Sequence, residues 1–237
     1  MLHPAWLARL VAPLRRSPPL QAVSGFFVAD PRSTWEQALG ATTLPEAAEI
    51  DPASFLPSSR SVAFRRQVWR AAGGYPEWLD YCEDLVFDLA LNSHAGRPRF
   101  QPRAVVRFRP RSSPQAFFRQ YVRYARGDGK AGLWPRRHAI RYVTYVTGTA
   151  LLACALDSRR PRVARLTALA ALLASAGAYT RRPLVRLAHQ SESPAAFVRA
   201  APLVPLVRLI GDVAKMLGYP AGLAWRLRRL SPPAGHA

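Results

Sequence analysis

Two apolar runs, residues 142–156 and 166–179, are separated only by the polar turn Asp157-Ser158-Arg159-Arg160-Pro161 and its flanks. Chain that carries no charge over such lengths has to be covered by a core or a bilayer, and a turn this short folds the second run back on the first. Each run holds about fifteen residues, fewer than the roughly twenty that cross a hydrocarbon layer about 30 Å thick. Flanking residues whose long side chains reach the interface make up the difference. Residues 136–182 therefore read as a transmembrane helical hairpin, with a soluble helical hairpin as the alternative. Arg136, Arg137, Arg141, Arg181, Arg182 and Arg186 on the outer flanks outnumber Arg159, Arg160 and Arg162 at the turn. The positive-inside rule then places both outer flanks in the cytoplasm, at the inner (cytoplasmic) membrane.

The formal charge of +20 comes from 34 basic against 14 acidic residues, and only Lys130 and Lys215 among the basic ones are lysine. Arginine pairs bidentately with phosphate and lies well against anionic headgroups, so negatively charged partners are expected. The arginines flank apolar runs instead of interleaving with exposed aromatics, which argues against a nucleic-acid partner. Cys82 and Cys154 stand far apart in unlike surroundings, and His3, His94, His138, His189 and His236 have no ligand spacing. Neither a disulfide nor a metal cluster is expected from them. The first twenty residues, broken by Arg9, Arg15, Arg16 and prolines, have no apolar core of signal-peptide length.

Upstream of the hairpin the pattern is different. Residues 21–29 read as a buried strand between Pro18-Pro19 and Asp30-Pro31. Ser33 and Glu36 have capping-box spacing and open a helix expected to fade near Gly40. A long loop over 41–59 leads to a short strand at 60–64, a helix at 65–72, the Gly73-Gly74 break and a helix starting near Glu83. Two extended stretches, 98–101 and 104–108, flank Pro102. Strand, helix and loop alternate up to here, an α/β pattern. Pro114 then opens a helix carrying Phe117, Phe118, Tyr121 and Tyr124, and everything beyond it is helical. Residues 195–229 are apolar but punctuated by Arg199, Pro202, Pro205, Arg208, Asp212 and Lys215, which suits a membrane interface. Asp212, four residues after Arg208 and three before Lys215, is spaced to pair with both on one helical face.

The segment with the most chemical character is Arg-Arg-Gln-Val-Trp-Arg-Ala-Ala-Gly-Gly-Tyr-Pro-Glu at 65–77, followed by Tyr-Cys-Glu-Asp-Leu-Val-Phe-Asp at 81–88. A carboxylate in the first turn of a helix is favoured by exposed backbone amides and the helix dipole. Glu83-Asp84 can therefore be a proton acceptor or simply a helix cap. A second motif, Gln120-Tyr121-Val122-Arg123-Tyr124, puts Gln120, Arg123 and Tyr124 at i, i+3 and i+4, on one side of a helix.

Together these motifs resemble the family 2 glycosyltransferases of the GT-A type. There a strand, a helix and a Gly-Gly-aromatic turn lead to an acidic pair opening the next helix, and membrane-bound members carry a Gln-x-x-Arg-Trp signature. Ser24-Gly25-Phe26, the segment around Ser61, and Gly211-Asp212-Val213 onward also look like parts of that pattern. The resemblance implies an α/β fold: a partial GT-A, Rossmann-like catalytic domain on the acceptor side over 1–112, followed by an all-α membrane-associated region. That region divides into an amphipathic interface helix over 113–135, the hairpin over 136–182, and C-terminal interfacial helices and tail over 183–237. It implies transfer of a sugar from a nucleotide-sugar donor to a lipid or polysaccharide hydroxyl with inversion. Asp84 would be the general base beside Glu83, Arg123 would steady the leaving diphosphate, Gln120 and Tyr124 would shape the pocket, and the Ser61 backbone would line the acceptor side. Tyr124 in place of tryptophan favours a single-transfer enzyme over a processive one.

No Asp-x-Asp occurs in the chain. In the family that motif holds a divalent metal, Mg or Mn, against the donor diphosphate, so metal and donor are expected to bind only with an N-terminal nucleotide-binding half. Upstream sequence or a separate polypeptide would supply it, and this chain alone is not expected to turn over a sugar nucleotide. The competing reading is a non-catalytic membrane-associated binding or assembly protein, a degenerate relative of the same family.

Overall fold

The structure, a computed structural model, describes residues 4–230. His3, His236 and the end of the expected C-terminal tail lie outside the described residues. The chain divides into two compact units, Met1–Ser112 and Ser113–Ala237. The first is mixed α/β; the second is helical throughout its described residues.

In the first unit, β1 (Ala22–Ala29) is the middle strand of a three-stranded sheet. It runs antiparallel to β2 (Val62–Phe64) and parallel to β3 (Arg99–Phe108). A middle strand covered on both faces has no solvent side, which is why Ala22, Val23, Ser24 and Phe26 are all buried with no alternation. β3 is one strand and not the two separate stretches expected around Pro102. Ser24 pairs with Phe100 and Phe26 with Val105, so extra residues bulge out of β3 between them, and Pro102, which has no N–H to give a ladder, sits in the bulge. The carbonyls freed there are used: Arg103 O accepts from Arg9 Nη1 at 3.0 Å and Ala104 O from Ser61 Oγ at 3.1 Å.

Arg9 belongs to α1 (Trp6–Arg16), a helix that the prolines and arginines of this segment conceal in the sequence. Its apolar residues nevertheless recur with helical period. Leu10 and Leu14 pack on Val23 and Ala104, with Trp6 at the edge. Arg65 closes the far end, donating from Nε to Leu20 O at 2.8 Å and from Nη2 to Leu14 O at 2.6 Å.

Helix α2 (Thr34–Thr43) begins as expected, with the Ser33 hydroxyl accepting from Glu36 N–H at 3.2 Å. It does not end at Gly40. That glycine lies against β1, where a Cβ would come within 2.7 Å of Ala29 Cβ, and the helix continues to Thr43. Nor does Glu36 complete a capping box. Its fully buried carboxylate accepts from Arg32 N–H at 2.7 Å and from Arg109 Nε at 2.8 Å, and that guanidinium holds its pKa below the ordinary carboxylate value against the opposing effect of burial.

The second unit contains α5 (Pro114–Ala131), α6 (Pro135–Leu156), α7 (Arg162–Gln190), α8 (Pro194–Ala200) and α9 (Leu203–Leu230). Helices α6 and α7 are long and apolar enough to cross a membrane. At 22 and 29 residues they exceed the apolar runs that prompted the hairpin reading. A core helix of that composition would be covered, yet 0% of the apolar window of α6 and 11% of that of α7 is buried. Arg165 ties the closed end of the hairpin, donating from Nε to Ala155 O at 3.2 Å.

Helices α5 and α9 touch backbone to backbone. A Cβ at Gly218 would overlap the Val122 carbonyl oxygen, one at Gly222 the Arg126 carbonyl oxygen, and one at Gly129 of α5 the Tyr219 carbonyl oxygen. Gly218 and Gly222 stand four apart, the small-residue spacing that lets two helices pack without side chains between them. Asp212 of α9 does not pair with Arg208 or Lys215 along its own helix. It turns to Arg141 of α6, whose Nε donates to Oδ1 at 2.7 Å. Arg208 stacks on Tyr179 and Lys215 on Tyr121 instead.

This contact makes a directional prediction. Gly218→Val or Gly222→Val should cost about 1–3 kcal/mol by overpacking and lower the melting temperature of the detergent-solubilised chain. Gly148→Val and Gly177→Val, in α6 and α7 with nothing within 4 Å of the added Cβ, should leave it near wild type. Equal melting temperatures in all four variants would refute the close contact.

Candidate functional site

In the first unit two of the candidate residues, Glu83 and Asp84, lie at the start of one helix. Helix α3 (Arg66–Ala71) ends in Gly73 and Gly74, both with positive φ, 79° and 70°. Only glycine takes that pair of conformations without strain. Gly74 is doubly required, because a Cβ there would sit 2.9 Å from Trp69 Cζ2. The turn drops Tyr75 onto Phe87, ring centroids 4.6 Å apart, and Phe64 meets the same ring at 5.0 Å.

Phe87 lies on α4 (Glu83–Ala95), and with Leu91 it anchors that helix on Ala22 and Val68. Burying each of these two side chains is worth about 1.5–3 kcal/mol, so α4 is held by its inner face. Cys82, the residue before α4, has φ 66°, and its side chain caps nothing. A non-glycine residue held there stores backbone strain of order 1–3 kcal/mol. In the first turn, Asp84 Oδ1 accepts from Leu85 N–H at 2.9 Å.

Asp84, Asp88 and Asn92 follow one another at four-residue spacing and form a polar stripe beside the apolar face. Asp88 is only 3% exposed. Burial, and secondarily the charge of Asp84, push its pKa up to about 8. No cation enters that balance among the described residues. Asn92 Oδ1 is buried without a hydrogen-bond partner. The Tyr75 phenol, hydrogen-bonded with the Ser59 side chain, faces Asp88, Asp84 and Glu83; burial first, then these charges, raise its pKa as well. The stripe therefore offers Asp84 beside a carboxyl that keeps its proton near neutral pH, with a phenol facing both. That arrangement suits moving a proton. It does not suit a divalent metal, and no group of three or more His, Cys, Asp or Glu among the described residues is placed to hold one.

The other expected residues are placed as follows. Ser61 is 1% exposed, and its hydroxyl is engaged inside the fold, accepting from Trp6 Nε1 at 2.9 Å and donating to Ala104 O at 3.1 Å. Its carbonyl accepts from Gly25 N–H at 2.8 Å. Ser61 thus fastens α1, β1 and β3 together, and its side chain is not open to a ligand. Gln120, Arg123 and Tyr124 belong to the second unit, on α5. Gln120 Nε2 donates to the Tyr124 hydroxyl at 2.6 Å, Tyr121 packs between Phe117 and Tyr124, and Arg123 is exposed.

Asp88 and Asn92 are the residues that motif reasoning passed over. Their signal was present: two polar side chains, four apart, within the otherwise apolar run from Leu85 to Leu91 and its end. What pattern could not give was the depth of their burial.

A carboxyl with a raised pKa keeps, in the folded chain, a proton that the unfolded chain has released, since its ordinary value is about 3.9. Stability should therefore fall as pH rises from about 4 toward about 8. Asp88→Asn, neutral at every pH and nearly isosteric, should flatten that fall and melt higher than wild type at pH 8. Parallel melting-temperature profiles for the two proteins between pH 5 and pH 9 would refute the assignment.

No family model, curated protein or solved structure matches the chain.

Proposed function

We propose that this chain is the acceptor-side, membrane-anchored part of a family 2 glycosyltransferase of the GT-A type, moving a sugar from a nucleotide-diphosphate donor to a hydroxyl of a lipid or glycan. The observation that carries the reading is the stripe Asp84–Asp88, set behind the Gly73-Gly74-Tyr75 turn at the strained start of α4. An acceptor hydroxyl is a poor nucleophile until its proton is taken. In a single displacement its oxygen bonds to the anomeric carbon as the bond to the donor diphosphate breaks, and the proton passes to Asp84. Removing a hydroxyl proton in this way is worth about 10²–10⁴ in rate. Asp88 holds its own proton near neutral pH, so acceptance falls to Asp84, with Glu83 orienting the loop. The exposed indoles of Trp69 and Trp78 in the same segment are suited to stacking on sugar rings.

Roles proposed for the second unit stand separately: Arg123 as a guanidinium for the leaving diphosphate, and Gln120 with Tyr124 as a hydrogen-bonded pair shaping a sugar pocket. A nucleotide-binding half, carrying the donor and its metal, is part of this reading. The second reading is a membrane-associated assembly protein without catalysis, favoured by the lack of any Asp-x-Asp in the sequence.

Membrane anchoring through α6 and α7 is supported by their length, composition and uncovered faces. Expressed in bacteria with a fluorescent tag, the chain should pellet with membranes and stay there through a carbonate wash. Release into the supernatant without detergent would defeat the anchoring, though not the transfer chemistry.

The transfer chemistry has its own test, in which the chain is expressed together with the nucleotide-binding half. Asparagine caps a helix as well as aspartate does but accepts no proton. Asp84→Asn should lower transfer by about two orders of magnitude or more with the melting temperature near wild type, and Glu83→Gln should cost less. Equal, mild losses in both variants would move the base elsewhere, and full activity in Asp84→Asn would leave the residue as a cap.

A further inference from the structure

The strongest polar feature outside the α4 stripe is in the helical unit. Asp212 of α9, only 4% exposed, receives Arg141 Nε at 2.7 Å and the Tyr145 hydroxyl at 3.2 Å from α6, and the Tyr179 hydroxyl from α7. One carboxylate thus joins three helices and already receives three donors. The cations around it are less well served. Arg208, one turn before Asp212, lies with its guanidinium 4.4 Å from the Tyr179 ring centre, and its Nε is buried without a hydrogen-bond partner. Lys215, one turn after, has its ammonium 4.9 Å from the Tyr121 ring centre. Asp128, the other acid in the field of Lys215, also faces His138, at 3.4 Å. Three cations, Arg141, Arg208 and Lys215, therefore share two carboxylates that are already engaged. Burial and then Arg141 hold the Lys215 pKa down to about 8, against the opposing pull of Asp212 and Asp128. Uncompensated charge in such surroundings is costly, and an anion relieves it.

The cluster has a definite level along the hairpin. At 1.5 Å per residue, Arg141 lies about 22 Å along α6 from Leu156, and Tyr179 about 26 Å along α7 from Arg162. The turn carrying Asp157, Arg159 and Arg160 is at the other end. With the turn in one headgroup layer, a hydrocarbon core about 30 Å thick puts the cluster close to the opposite layer. Leu209 and Val213, exposed beside Arg208 and Asp212 on α9, offer apolar surface next to it.

We propose that Arg141, Arg208 and Lys215 form a binding site for the phosphate of a phosphate-bearing lipid, at the end of the α6–α7 hairpin opposite its turn, with Asp212 holding the helices in place and the lipid chains lying against Leu209 and Val213. A guanidinium takes two phosphate oxygens at once and an ammonium adds a compact charge. The proposal uses the membrane placement but does not rest on the transferase reading, and it would survive the failure of that reading.

The test titrates the full chain, purified in a non-ionic detergent, with dihexanoyl phosphatidic acid. Saturable one-to-one binding is expected, weakened roughly tenfold or more in the double variant Arg208→Gln/Lys215→Gln. Neither substitution removes a donor to Asp212, although Arg208 lies over the ring of one of them, Tyr179, so the helical circular dichroism and melting temperature are measured alongside and should hold; if the double variant fails to fold, Lys215→Gln alone, away from that ring, is read in the same way. Arg159→Gln/Arg160→Gln, at the turn, should bind as wild type does, and dihexanoyl phosphatidylcholine should not saturate. Inorganic phosphate should bind far more weakly than the lipid. Unchanged affinity in the double variant, or an equal loss in the turn variant, would overturn the site. Inorganic phosphate binding as tightly as phosphatidic acid would overturn the lipid as its ligand.

Discussion

A carboxylate taken out of water must meet a cation, gather hydrogen-bond donors or keep its proton. Three buried acids in this arginine-rich chain take different routes, and much of the architecture follows from them. Glu36 is answered by Arg109 and the Arg32 amide, which fixes α2 to the strand end carrying Arg109. Asp212 is answered by Arg141 and two tyrosines, which joins α6, α7 and α9. Asp88 receives no cation and keeps its proton instead. With 34 basic residues available against 14 acidic ones, leaving a buried acid unpaired is unusual here. That contrast sets α4 apart from the other two sites.

The first unit is arranged around that helix. Phe87 and Leu91 hold its inner face, the two positive-φ glycines bring Tyr75 onto it, and Cys82 takes a left-handed conformation to start it. Ser61 and Arg65 secure α1 and the sheet by hydrogen bonds to bulged or terminal carbonyls, and Trp6 adds one to the Ser61 hydroxyl. Those bonds make a rigid base, which the proton acceptance proposed for Asp84 requires. The second unit has a different economy. Glycines remove the side chains between α5 and α9, so the two backbones meet directly, and many large apolar residues of this unit are exposed.

Local pattern carried a good part of the fold. The β1 strand, the Ser33 cap, the Gly-Gly break, the start of α4 and the Pro114 start of α5 were all legible, because each depends on residues within one turn of itself. The pairing of Glu83 with Asp84 at a helix start was legible for the same reason. Helix α1 was hidden by Pro13, which sits inside the helix against the usual breaking tendency because Leu10 and Leu14 pack on the sheet. The bulge at Pro102 was visible as an interruption, but whether the two sides belonged to one strand depended on β1 lying beside them.

Sequence by itself determined many of the helix, strand and turn segments, though not α1 or the unity of β3, and it determined where charge lies along the chain and that two helices are apolar enough for a bilayer. Those properties are set by short-range sterics, hydrogen bonding and composition. Tertiary structure alone decided the partners: Asp212 with Arg141, 71 positions away, in place of Arg208 or Lys215 on its own helix, and Gly40 as a contact to β1 in place of a helix end. It also decided that Ser61 is a fastener and that Asp88 is deep enough to hold a proton. Spacing along a helix states which residues can meet, but burial and competition from distant side chains settle which of them do, and neither is written in the local order of residues.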